Sequence, residues 1–158
     1  MVPAEVTQAV LSDEQPAIAA WAERHGWTLT IDPNEATVTA TTTHPRTEQA
    51  VIFHADLSGY PAIPPAWTCR DNQGNSPAAA YPLPGTSSAL PTSIFHTQPV
   101  ICAPWNRLAY ATHGGPHGDW TAVTSWKTAA GEATQAHTIA DMLSALRLHL
   151  SVSPGLQP

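Results

Sequence analysis

The stretch from Trp27 to Leu57 leaves little choice of topology. Trp27–Ile31 alternates Trp, Leu and Ile with threonine, Ala36–Thr43 has strand composition, and Gln49–Leu57 is a third run of the same kind. The joints between them, Asp32-Pro-Asn-Glu35 and His44-Pro-Arg-Thr47, are four residues each. A parallel crossover needs a dozen or more residues, so strands joined this tightly must run antiparallel, as a meander. Ala66–Arg70 supplies a candidate fourth strand.

Helical patterns flank this sheet. Residues 2–25 read as helical, in one or two pieces, with Ile18, Trp21 and Ala22 on an apolar face and Gly26 as a stop. Ser12-Asp-Glu-Gln15 has the form of a capping box, which would place Pro16 in a first helical turn. Near the other end Thr138-Ile-Ala-Asp141 is a second capping box. Ile139, Met142, Leu143, Leu146 and Leu150 follow it at helical spacing, and Pro154 lies beyond. Helix, meander, irregular region, helix is an α+β order, with helices on one side of a sheet.

At 158 residues the chain fits one domain, 1–158, and 42% hydrophobic residues can build its core. Six basic against twelve acidic residues give a net charge of −6, which argues against a nucleic-acid partner. No apolar run approaches membrane-spanning length. The opening Met-Val-Pro-Ala-Glu lacks the basic and apolar parts of a secretory signal, so a cytoplasmic location is expected. Two cysteines, Cys69 and Cys102, are too few for a disulfide scaffold or a four-thiolate zinc site.

Residues 71–93 are rich in Gly, Ser, Ala and Pro without period, an irregular loop long enough to need a reason. Residues 94–126 gather Cys102, His96, His113, His117 and three tryptophans around Gly114-Gly-Pro116. Residues 151–158 read as a flexible tail.

Gly59-Tyr-Pro-Ala-Ile-Pro-Pro65 follows the third strand, and His96-Thr-Gln-Pro-Val-Ile-Cys102 follows the fourth; Trp126 and the 138–150 helix come after. In this order the chain resembles the ubiquitin-conjugating enzymes, from about residue 13 to 150. That family carries a Tyr-Pro-x-x-Pro-Pro turn in the same place. A His-Pro-Asn segment comes next, and then its thioester-forming cysteine. The resemblance is to a divergent member, like those that accompany ubiquitin-like proteins in bacterial operons; 71–93 is an insertion relative to compact members.

What the resemblance implies is a transferase. The carboxyl terminus of a ubiquitin-like protein would arrive from an activating enzyme, rest as a thioester on Cys102, and pass to an amine on a target protein. ATP would be used by the activating enzyme, and this chain would need no cofactor. His96 would organise the loop. The family's asparagine is missing, since His96-Thr97-Gln98 stands where it has His-Pro-Asn. Gln98 and Asn106 are the nearby amides that could donate to the oxyanion. His113, His117 and Asp119 are candidates to help the attacking amine lose its proton, and Arg107 or a histidine could lower the Cys102 pKa.

Two other readings belong beside this one. A non-catalytic adaptor with the same fold would bind the ubiquitin-like protein or its activating enzyme, and the missing asparagine favours it. Alternatively His113-Gly-Gly-Pro-His117 with Asp119 would hold zinc, with Cys102 as a further soft ligand. His54, on a strand, reads as a satisfied sheet histidine; His137 and His149 have dipole or surface roles at the last helix.

Overall fold

The computed structural model describes residues 2–120, 122–128 and 135–158. Its order is α1 (Ala4–His25), β1 (Thr28–Asp32), β2 (Thr37–Thr43), β3 (Ala50–Asp56), β4 (Ala66–Arg70), an irregular region with short 3-10 turns, and α2 (Ile139–Val152). The four strands form one antiparallel sheet in sequence order, β1-β2-β3-β4. This is the α+β meander expected from the short turns. Asp32 shows why the first turn is tight: its carboxylate accepts from the backbone N–H groups of Asn34 and Glu35.

Alternation decides which face is buried. Val38 and Ala40 of β2, Val51, Phe53 and Ala55 of β3, and Trp67 and Cys69 of β4 point inward. Ile139, Met142, Leu143, Leu146 and Leu150 of α2 share the core with them. Trp67 Nε1 donates to the Met142 sulfur at 3.3 Å, fixing α2 against β4. Trp21 Nε1 donates to Ser144 Oγ at 2.8 Å and ties α1 to α2. Rings of Trp21, Trp27, Phe53, Phe95 and His149 contact one another in series, with centroids 4.9–6.5 Å apart along the row. On the outer face His54 Nδ1 pairs with Thr39 Oγ1 at 2.9 Å, a satisfied sheet histidine.

Three expectations change. First, α1 is a single helix, and Ser12–Gln15 lies in its middle. The helix begins at Pro3 with no side-chain cap, and Pro16 sits inside it. Ser12 and Pro16 are both exposed, so water can reach the carbonyl that the proline leaves without a donor. Glu14 does cap a helix, but not its own. One of its oxygens accepts from Ile139 N at 2.7 Å, at the start of α2, and the other accepts from the Tyr60 hydroxyl at 2.6 Å. Thr138 adds the local cap, accepting from Asp141 N at 3.2 Å.

Second, His149 is buried rather than superficial. It is 2% exposed, its Nδ1 accepts from Ile94 N, and burial lowers its pKa to about 4. Third, the segment expected to hang free beyond residue 151 continues α2 to Val152 and then docks. Ser153 is buried and bonds His44 Nε2; Leu83 N donates to Gly155 O, Gln157 N to Tyr81 O, and Gln157 Nε2 to His96 O. Residues 153–157 thus strap down the irregular 71–93 segment.

Candidate functional site: the Cys102 loop

Apolar anchors build this loop. Ile94, Phe95 and Ile101 are buried, Phe95 and Ile101 form an antiparallel bridge, and Cys102 N donates to Ile94 O at 2.8 Å. Closing the base in this way leaves His96, Thr97, Gln98 and Pro99 exposed at the tip, with Cys102 at the foot. His96 and Gln98 therefore face solvent. The His96 carbonyl accepts from Gln157 Nε2 at 2.8 Å and ties the tip to the C-terminal segment.

Asn106 holds the foot of the loop to the sheet. Its Oδ1 accepts from Trp67 N at 2.9 Å and Leu108 N at 3.3 Å, while its Nδ2 donates to Ile101 O at 2.8 Å and Trp67 O at 3.2 Å. The side chain is fully buried with its hydrogen-bonding capacity engaged. It has no donor left to offer an oxyanion, so this candidate is a structural clamp. Gln98 keeps a free position. It lines a cleft of about 190 Å³ with Val100, Leu108, Gly114 and Gly115 among others.

Arg107, the proposed cationic neighbour of Cys102, turns elsewhere. Its guanidinium donates to the Ser58 and Asp56 carbonyls and pairs with the Asp56 carboxylate at 3.4 Å. Burial pushes Asp56 up, but bonds from Ser58 and the charge of Arg107 outweigh it and hold the carboxyl below its ordinary value. Arg107 thus fastens the loop to the end of β3.

Cys102 packs with Val100, Ala109 and Trp120 in a small apolar cluster of its own. It is 7% exposed, whereas Cys69, on the inner face of β4, is at 0%. Desolvation pushes the Cys102 thiol up to about 11 and Cys69 well above its ordinary value. With a pKa near 11, on the order of one Cys102 in ten thousand is a thiolate at pH 7. Ionisation would need a change of surroundings, such as a partner bringing charge to the loop.

The second half of the region folds back on itself. Tyr110 and His117 form a parallel bridge, and His117 N donates to Ala109 O at 3.0 Å. Gly115 is needed there because a Cβ would lie 2.2 Å from the Leu108 carbonyl oxygen. The fold-back stacks the His117 ring on Trp120, with centroids 3.7 Å apart, and sets Tyr110 edge-on to the same indole. His117 Nδ1 lies 3.3 Å from Asp119 Oδ1. A carboxylate-oriented imidazole therefore stacks on the indole that packs against Cys102. His113 is exposed, with its Nδ1 beside Thr112 Oγ1.

Of the expected site residues, His117, Asp119 and Cys102 share one neighbourhood through Trp120, and Gln98 borders a cleft beside it. His96 and His113 stand apart in solvent. Trp120 and Tyr110 carry the arrangement, and neither stood among the expected site residues. Their signal was aromatic residues in a stretch too rich in Gly and Pro to form a helix. Among the described residues no group of three or more His, Cys, Asp or Glu side chains converges on a metal position, leaving His113, His117 and Asp119 without an assembled zinc ligand set. No helix among them is long and apolar enough to cross a membrane. The chain matches no protein-family model, no curated protein and no solved structure.

Proposed function

We propose that this chain is a carrier of the ubiquitin-conjugating type, with Cys102 as its acyl-bearing thiol. The thiol would attack the activated carboxyl of a ubiquitin-like protein, losing its proton and releasing the activating group. An amine on the target protein would then displace the thiol, forming an amide. One observation carries the reading: of the two buried cysteines only Cys102 keeps any exposure, 7% against 0% for Cys69, and it lies at the foot of a loop that Asn106 clamps to the sheet. The element order and the Tyr60-Pro-Ala-Ile-Pro-Pro65 turn support it. In this scheme Asn106 positions the loop, Gln98 is the oxyanion donor still free to act, and His117 with Asp119 takes the amine proton.

The adaptor reading has its own observation. A thiol raised to about 11, with Arg107 turned away and the Asn106 amide engaged, suits a chain that binds a ubiquitin-like protein or its activating enzyme without chemistry. A charging assay separates the two. The protein is mixed with ATP and with the activating enzyme and ubiquitin-like protein encoded nearest to it, then resolved with and without reductant. The carrier reading expects a reductant-sensitive adduct that survives Cys69→Ala and is absent in Cys102→Ala. Modifier adenylation without any adduct would leave the adaptor.

A further inference from the structure

We propose that the cleft between the start of β1, the β2–β3 turn and α2 docks an acidic, extended peptide segment of a partner protein. It holds about 260 Å³ and is lined by Trp27, Thr42, Thr43, Pro45, Arg147 and Leu150, among others. That is below the range of pockets that enclose small-molecule ligands, and it suits a single apolar side chain.

Charge gathers at its edge in a way the rest of the molecule does not prepare. The chain has six Lys and Arg residues and a net charge of −6. Arg147 lines the cleft, and Arg46 follows Pro45 in the β2–β3 turn. Arg24 precedes His25 at the end of α1, and desolvation, then the charges of Arg147 and Arg24, hold His25 below its ordinary pKa. Arg46 and Arg147 are both exposed, and among the described residues neither has a carboxylate within ion-pairing distance, although Glu48 lies in the same turn as Arg46. An unpaired Arg147 lining the cleft, with the unpaired Arg46 next to the lining residue Pro45, makes a site for carboxylates attached to an apolar anchor.

The backbone favours a peptide over other anions. β2 pairs with β1 only as far as Thr41, opposite Thr28. Thr42 and Thr43 run on for two residues at the cleft with no β1 partner, a place where an extended segment can lie alongside β2. A nucleic acid would call for a longer cationic track. A membrane would call for a broad apolar face, and here Leu148 is the large exposed apolar residue on α2.

The test uses the full chain and a fluorescein-labelled hexapeptide, Glu-Asp-Glu-Leu-Asp-Glu. Its neutral Gln/Asn counterpart, a 12-nucleotide oligouridylate and phosphatidylserine vesicles serve as comparisons. Anisotropy at low salt is expected to show binding near 100 µM. The Arg46→Gln/Arg147→Gln variant, changed only at exposed positions, is expected to bind at least about tenfold more weakly. The Trp27 indole resonance is expected to shift on titration. Absence of binding at about 1 mM, equal affinity in the variant, or stronger binding of oligouridylate or vesicles would overturn the proposal. The test does not involve Cys102, so its result is independent of the carrier reading.

Discussion

Asn106 shows how much one side chain can hold. Replacing it with alanine leaves the Trp67 N–H, the Trp67 carbonyl and the Ile101 carbonyl without this partner in a region closed to water. Each orphaned group costs about 1–3 kcal/mol. Asn106→Ala should therefore lose on the order of 3 kcal/mol in urea denaturation, and a loss under about 1 would mean that water replaces the amide. His149 makes a pH-dependent contribution. Its pKa falls from 6.5 to about 4 on folding, so between those values the unfolded chain binds the proton and the folded one does not. The stability it confers is complete above pH 6.5 and is lost as pH falls toward 4, about 2–3 kcal/mol by pH 4.5. His149→Gln should show a correspondingly smaller change between pH 7 and 4.5; an unchanged pH profile would remove His149 as the cause. From sequence Asn106 was a candidate oxyanion donor in a loop, and His149 had a dipole or surface role at a helix end. What distinguishes them is burial by segments far away along the chain.

Elements formed by short-range rules were legible; those completed from a distance were not. Alternation and four-residue turns specify the meander, and helical spacing specifies α2. The Ser12–Gln15 pattern misled because a capping box is a local signature, while Glu14 reaches across 125 residues to the N-terminus of α2. Glu14→Ala should cost about 1–3 kcal/mol and speed exchange of the Ile139 amide more than that of Leu146. Equal acceleration at both sites would argue against a specific cap. Pro16 gives the opposite prediction. It lacks the N–H that a helix interior uses, and its site is exposed, so Pro16→Ala should stabilise the protein by about 1–3 kcal/mol. A lower thermal midpoint would mean that the proline shapes α1 for its packing. The same limit applied to the site. The cysteine, histidines and carboxylate were visible in sequence, but the stacking of His117 on Trp120 and the diversion of Arg107 to Asp56 depend on tertiary closure.

At the scale of the molecule, the irregular half is held by contacts that bridge its ends. A Cβ at Gly85 would lie 1.9 Å from the Val152 carbonyl oxygen, so the 71–93 segment passes directly against the end of α2. Gly85→Ala should push the segment outward and open residues 84–93 to limited proteolysis while the sheet stays folded. Unchanged cleavage would show that the segment shifts without detaching. The strap itself joins residues separated by 109 positions at His44–Ser153 and by 61 at His96–Gln157. Closing loops of that length is entropically slow compared with zipping a meander. Folding should thus end with this fastening, and native-state fluctuations should begin with its release. The Cys102 loop, tied to Gln157 through His96, would then experience two clocks: a slow one set by the sheet, and a faster one set by five residues letting go and rebinding.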